Sequence, residues 1–448
     1  MSESVTDLLG SVLERAAGRG ATSADAFLVE ERHFSATVRL GEVDTVAHAR
    51  DQRLSLRVFS GRASAAASTS DLSPPSLERV IEEATRLARV TAEDPCAGLP
   101  DPGDLVGRLP ALDLHDDGGH DLLPEEKIEI ARRAEGAALA FDPRMTNSDG
   151  AEYWDRQARY AYATSTGFAA DYATSGFGLS VAPIAAGDGE MQRDAWYTMA
   201  RKRARLDAPE AVGRVAAERA LRRLGARKVR TTEVPVVFDT ETAASLVRTI
   251  AGAAAGPSLY RRASFLCDRQ GTRIAAPSVT IVDDGTLSGA LGSRPFDGEG
   301  LPTRRTVVVR DGVLESYLLD SYSARKLGLT STHHAGRDGS GITVVPTNLM
   351  LLPGAATREE LIGSVASGLY VTELIGFGVN GVTGDYSRGA AGLWIENGQL
   401  TYPVEEITIA GNLLDMLMAI DGVGNDLVLR DRTASPTVKI ARMVVAGN

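Results

Sequence analysis

The sequence predicts an α+β fold, with N-terminal α/β units built on antiparallel sheets and a C-terminal, mostly-β, barrel-like domain with flanking helices. Helical-period segments and strand-like runs come in blocks rather than in strict βαβ alternation. From residue 231 onward, short strand-like runs separated by glycine-rich turns dominate. The 448 residues, 43% hydrophobic and 24% charged, suffice for two or three domains with a sizeable core.

From Val5, apolar residues recur at Leu8, Leu9, Val12, Leu13 and Ala16, the rhythm of a helix with one buried face, and Gly18 and Gly20 end it. Residues 24–30, 34–40, 42–49 and 53–59 read as four strands of an antiparallel meander, turning at Gly41 and Gly61. Ser73 and Pro74 announce a helix over 75–90. Proline, glycine and aspartate then crowd residues 96–123, the composition of a linker between an N-terminal domain (1–95) and a central one (124–230). In the central domain, helices over 124–141 and 209–224 flank aromatic and small residues alternating like strands. In the C-terminal domain (231–448), Val234–Phe238 reads as a buried strand, and helices are expected over 240–255, 321–327, 358–369 and 410–420.

The formal charge of −11, from 59 acidic and 48 basic side chains, disfavours nucleic acid and anionic membranes as partners. The one dense basic run, Arg201-Lys-Arg-Ala-Arg, lacks interleaved aromatics and reads as a solvated connector. Cys96 and Cys267 are too far apart in sequence for a local metal pair and read as cytosolic thiols. The start of the chain lacks the basic and apolar segments of a signal peptide, and no apolar stretch reaches the roughly 18–20 residues of a membrane span, so the expected location is cytoplasmic.

None of the six histidines sits in H-E-x-x-H spacing. His115 and His120, among Asp116, Asp117 and Asp121, could loosely hold a divalent ion, but a polar linker is the stronger reading. Phosphate-binding loops and a nucleophile elbow are absent from the sequence, and the adjacent carboxylates Asp283–Asp284 and Glu405–Glu406 are commonplace at turns. One block stands out, 371–412. Its glycines permit close backbone approach, and Asn380, Asp385, Tyr386, Ser387, Arg388 and Glu405 are its candidate peptide- or partner-contact residues. Tight barrel turns holding a buried Asp385–Arg388 pair are the competing reading.

The segments Gly384-Asp-Tyr-Ser-Arg-Gly-Ala-Ala-Gly and Pro403-Val-Glu-Glu-Ile-Thr-Ile-Ala-Gly-Asn resemble the PmbA (TldE) branch of the TldD/PmbA family of peptidase-like proteins. Asp283-Asp-Gly-Thr-Leu, Gly292-Ser-Arg-Pro-Phe-Asp-Gly-Glu-Gly, Ser321-Tyr-Ser-Ala-Arg-Lys-Leu-Gly and Pro346-Thr-Asn-Leu extend the resemblance, which covers essentially the whole chain. The TldD branch carries a zinc-binding H-E-x-x-x-H helix and a cysteine ligand near the C-terminus. Here the matching helix places Arg248, Thr249 and Ala253 at those positions, and Ala434-Ser-Pro-Thr-Val-Lys-Ile contains no cysteine.

The resemblance therefore implies a metal-free subunit of a heterodimeric metallopeptidase, without catalytic or metal-binding residues or a cofactor of its own. Zinc is expected in a TldD-like partner, and extended peptides are the expected substrates. This polypeptide would then be inactive alone. Two alternatives stand beside it: a homodimeric peptide-binding protein without hydrolytic activity, and an independent hydrolase using Asp283, Asp284 and His333.

Overall fold

A computed structural model describes residues 4–187, 189–338 and 341–447. Helix α1 (Val5–Gly18) begins where the Ser4 hydroxyl accepts from the Asp7 amide, and it buries Leu9, Val12, Leu13 and Ala16. Strands β1 (Ser23–Arg39), β2 (Glu42–Ser60) and β3 (Ala63–Thr69) follow, then α2 (Pro74–Val90). Where four short strands were expected before residue 60, there are two long ones, paired from Ser23↔Phe59 to Arg39↔Glu42. Charged residues between the apolar runs interrupt the alternation without terminating the strand. Glu42–Arg50 simply projects into solvent, with no proline or glycine to break it.

Helix α3 (Pro124–Leu139) leads into β4 (Met145–Thr164), β5 (Ala169–Gly187), β6 (Glu190–Arg193), β7 (Trp196–Ala200) and α4 (Pro209–Leu221). These strands join the first three in one antiparallel half-barrel sheet of order β3-β2-β1-β4-β5-β6, with β7 also on β5. One face is covered by helices. Helices α1 and α2 pack on Ala26, Leu28, Leu56, Val58 and Ala161; α3 and α4 pack on Ala36, Val38, Tyr153, Phe177 and Leu179. Alanines line the contact of α3 with α4, and at Gly213 an added Cβ would stand 2.2 Å from the Ala134 carbonyl oxygen. The opposite face is polar and aromatic, with Asp25 directly across from Arg57, Phe27 from Tyr162, and Tyr160 from Tyr172.

The C-terminal region runs β8 (Thr232–Phe238), α5 (Thr240–Ala253), α6 (Gly256–Tyr260), β9 (Ile281–Asp284), β10 (Arg305–Arg310), β11 (Val313–Leu314), α7 (Ser321–Leu327), β12 (Ala335–Asp338), β13 (Gly341–Val344) and β14 (Leu349–Leu351). It continues through α8 (Arg358–Gly363), β15 (Ser367–Ile375), β16 (Asp385–Glu396), β17 (Gln399–Asn412), α9 (Leu413–Met418), β18 (Ile420–Val423), β19 (Thr433–Ala434) and β20 (Val438–Ala446). The barrel-like expectation holds: β8, β15, β16, β17 and β20 close into a ring, the last join running from Thr408↔Ala446 to Ala410↔Val444. A second sheet of order β11-β10-β9-β14-β19 lies beside it, and α5 packs against β14, β15 and β19. Two expected helices shrink. Residues past Gly363 form β15, where Gly368 lets the strand approach Pro235 so closely that a Cβ would lie 2.5 Å from its carbonyl oxygen. Residues 410–412 end β17, and the Asn412 side chain accepts from the Leu414 amide to start α9. Among the described residues, no helix is long and apolar enough to cross a membrane.

A buried charge cluster ties the half-barrel to the C-terminal region. Fully buried Asp25 on β1 accepts from Arg57 on β2, from Arg337 on β12 (2.8 Å) and from the Tyr162 hydroxyl (3.0 Å). Burial alone would raise Asp25; the charges of Arg337 and Arg57 hold it below the ordinary carboxylate value. Beside it lie buried Asp297 and Glu299. Asp297 accepts from the amides of Glu299, Leu301 and Ala335, while Glu299 accepts from the Ser321 amide and stands 4.0 Å from Arg57. Burial first, and then the charge of Glu299, push Asp297 up to about 7; burial likewise raises Glu299.

Two outcomes follow. Asp25→Ala strands two guanidiniums away from water and should lower the first urea transition by about 3–5 kcal/mol. A loss below 1 kcal/mol would show that the cluster does not hold the two parts together. Because the folded chain binds more protons than the unfolded one between ordinary carboxylate values and about 7, the raised pair makes stability fall as pH rises through that window. In Asp297→Asn the decline between about pH 5 and 7 should flatten; an unaltered pH profile would contradict the assignment.

Candidate functional site

Helix α5 is the natural place to seek a metal centre, and its geometry can be followed residue by residue. Buried Asp239 caps it, accepting from the amide and hydroxyl of Thr242 (both 2.8 Å). Burial raises the Asp239 carboxyl, which Arg219 approaches to 3.9 Å. Along the helix, Arg248 is exposed, Thr249 donates its hydroxyl to the Ser245 carbonyl (2.8 Å), and Ala253 is buried, its carbonyl accepting from the Ser264 hydroxyl (2.6 Å). A guanidinium, a hydroxyl engaged within its own helix and a methyl group supply no zinc ligand. In the C-terminal segment, Ser435 is buried and donates to the Pro436 carbonyl. Among the described residues, no three His, Cys, Asp or Glu side chains converge to hold a metal ion. The described residues at α5 and in the C-terminal segment do not fit a zinc ion.

His120, His333 and His334 have structural partners. His120 lies 3.2 Å from Asp155, a carboxylate already paired with Lys127 at 2.6 Å, and Asp116 accepts from the Arg203 amide. The expected grouping of Asp283, Asp284 and His333 does not form. His333 takes positive φ and turns its ring to the Pro302 carbonyl (2.7 Å). Its neighbour His334 meets Asp283 instead, at 3.0 Å, with Thr332 on the other ring nitrogen and Thr347 also donating to Asp283. Asp283 and His334 are buried, so this network braces β9 away from solvent. Asp284 accepts from the amide and hydroxyl of Thr286, closing a turn.

In the glycine-rich block, the loop between β15 and β16 is tightly organised. The Asn380 side chain accepts from the amides of Val382 and Thr383, and the Asp385 carboxylate accepts from the Thr383 hydroxyl and from Asn412. Gly378 lies against the Ser387 carbonyl oxygen, 1.6 Å from where a Cβ would stand, so only glycine fits. The loop docks on the chain before β9 through the Phe265 amide and the Gly381 carbonyl. The competing Asp385–Arg388 pair does not form, because Asp385 is exposed and faces Thr383 and Asn412. Asn380, Asp385 and Ser387 are exposed, whereas Tyr386 is buried and its hydroxyl pushed up to about 12 by that burial. Arg388 is half-buried, with its Nε shielded and unpartnered, and Glu405 lies apart, accepting from Gln192 (2.9 Å). The loop also presents Phe377, fully exposed, flanked by exposed Ile375 and Val382. Sequence reasoning passed over these three; an aromatic between glycines was the available signal. It also misplaced Arg201, which is buried and donates to the carbonyls of Ser175 and Leu291 rather than to solvent.

Comparison with known proteins places this architecture. Residues 24–88, 119–224 and 231–447 match the PmbA/TldA metallopeptidase domain 1, central domain and C-terminal domain, respectively. The chain is 40% identical to Metalloprotease PmbA of Escherichia coli O157:H7 over 98% of this chain and 96% of that one. It is 28% identical to a Metalloprotease TldD homolog of Haemophilus influenzae over 68% and 65% of the two chains. A crystal structure from Bacteroides thetaiotaomicron, named as a candidate modulator of DNA gyrase, superposes with a TM-score of 0.91 at 29% identity, covering 99% and 100%. TldE from Thermococcus kodakarensis shares the fold, with a TM-score of 0.88 at 20% identity over 98% and 100%. The chain belongs to the PmbA/TldD metallopeptidase family.

Proposed function

We propose that this chain is the metal-free, PmbA/TldE-like subunit of a heterodimeric metallopeptidase that processes unfolded or extended peptides in the cytoplasm. Helix α5 carries the reading: Arg248, Thr249 and Ala253 stand near where the family resemblance implies the H-E-x-x-x-H ligands. Amide hydrolysis on zinc requires protein ligands and a base near the metal-bound water, and a TldD-type partner would bring them. The present chain contributes walls: the polar face of the half-barrel, and β3, an edge strand that pairs only with β2 among the described strands and so offers free backbone groups to an extended chain. Such an enclosure favours unfolded peptides over folded proteins. The preorganised β15–β16 loop, with Phe377 fully exposed, suits contact with the partner.

Reconstitution tests the reading. The chain alone should leave an unfolded casein-derived peptide intact, and addition of an H-E-x-x-x-H homologue should produce cleavage exceeding that of either subunit. Full cleavage by this chain alone would overturn the proposal. Because the Phe377 ring is fully exposed, Phe377→Asp should leave the melting temperature unchanged while weakening partner affinity at least about tenfold. Unchanged affinity would make the loop a turn device and nothing more.

A further inference from the structure

Where the loops of the C-terminal region meet the polar face of the half-barrel, a cavity of about 820 Å³, its mouth included, opens between Tyr160, Tyr172, Arg201, Arg294, Phe296 and Arg432. Its walls carry an excess of positive charge. Arg156 and Arg337 also line it, but Glu31 and Asp25 neutralise them. The other three guanidiniums have no such carboxylate partner among the described residues. Arg201 spends its donors on the carbonyls of Ser175, Ala290 and Leu291. Arg294 reaches the Val345 carbonyl (3.0 Å), and its Nε is buried with no partner. Arg432, at the exposed side, has no side-chain hydrogen bond or ion pair among the described residues.

The three charges converge. Burial, and next the charge of Arg432, push Arg201 down to about 10. Burial takes the Tyr172 hydroxyl up to about 12 although Arg294, Arg201 and Arg432 all act to lower it. Asp297 is the one carboxylate lining the cavity among the described residues. Both its oxygens are already bonded to backbone amides; burial raises its carboxyl while the charge of Arg294 acts to lower it, so a single carboxylate faces three guanidiniums. Like charges gathered in a partly desolvated pocket repel one another, and an anion placed among them relieves that repulsion. Beside them the Tyr160 and Tyr172 rings stack at 5.2 Å and Phe296 meets Tyr172 edge-on at 5.2 Å, forming an apolar ledge next to the cationic floor.

We infer that this cavity captures a carboxylate of an extended peptide, Arg294 and Arg432 gripping the anion while the aromatic ledge supports the adjoining residue. The inference rests on the peptide-processing reading and adds to it recognition of a carboxylate on the bound peptide. A carboxylate can come from the peptide C-terminus or from an aspartate or glutamate side chain, and one experiment separates the two.

N-acetylated, unlabelled decapeptides of alanine, valine and serine are titrated calorimetrically into the full-length chain in four forms: with a free C-terminus, with a C-terminal amide, amidated with one internal glutamate, and amidated with one internal glutamine. A carboxylate-bearing form should bind at least about tenfold more tightly than the amidated glutamine form. Preference for the free-terminus peptide alone identifies the terminal group; preference for the glutamate peptide identifies the side chain. Arg432→Met and Arg294→Met should each abolish the preference, and Arg432→Lys should restore part of it. Arg432 is exposed, so its variants test the idea even where Arg294→Met lowers the melting temperature. Equal binding of all four peptides overturns the carboxylate site and leaves the peptide reading standing. Inorganic phosphate binding with no peptide preference also overturns it, as a simple anion site. Failure to bind any of the peptides removes both.

Discussion

The contact of Asp25 with Arg57 and Arg337 is the joint on which the rest of the molecule depends. Asp25 and Arg57 face one another across β1 and β2, and Arg337 comes from the C-terminal region on β12. A buried carboxylate between two guanidiniums tolerates little displacement, because each partner left alone would be an uncompensated charge in a poorly solvated place. The joint also sets the C-terminal loops against the polar sheet face: Arg337 donates to the Gly298 carbonyl as well, and Asp297 and Glu299 follow in the same loop. The arginine-lined cavity is a consequence, since its floor comes from the sheet and its rim from those loops.

Local signals were legible where they depend on neighbours in sequence. The apolar period of α1, the first-turn proline of α2 and the compact Ser321–Leu327 helix follow from spacing and local helix-start chemistry, although the Ser73 hydroxyl donates to Asp71 rather than capping α2, and glycine-punctuated strands gave the C-terminal barrel. Structure that depends on distant partners was not legible. The 42–60 strand looks interrupted because a projecting ribbon needs no apolar face, and 358–369 looks helical until Gly368 is seen lying against Pro235. Arg201 reads as one more solvated arginine in a basic run, yet its acceptors are carbonyls on β5 and in the loop after β9. The link from Asp25 to Arg337 spans a sequence separation of 312, which no local pattern encodes. Of the candidate contact residues, Asn380 in the β15–β16 loop and Asp385 and Ser387 at the start of β16 are all exposed, but Tyr386 faces the core because strand alternation turns it inward.

The α5 face and the cavity suggest a division of labour in the proposed complex. A metal centre demands a few ligands held in fixed geometry, whereas holding an extended substrate demands area, edges and charge. Separating these demands between two related chains would let one side keep a zinc helix while the other replaces those ligands with an exposed arginine, a threonine bonded within its own helix and a packed alanine. In this reading the fold is retained because the walls are needed, not because each copy performs the chemistry.

Metal content of the chain alone decides between this reading and an autonomous enzyme. Native mass spectrometry after incubation with zinc and exhaustive dialysis should return the mass of the bare polypeptide, with no stoichiometric ion retained. One zinc held per chain, and lost together with peptide cleavage on addition of a chelator, would contradict it.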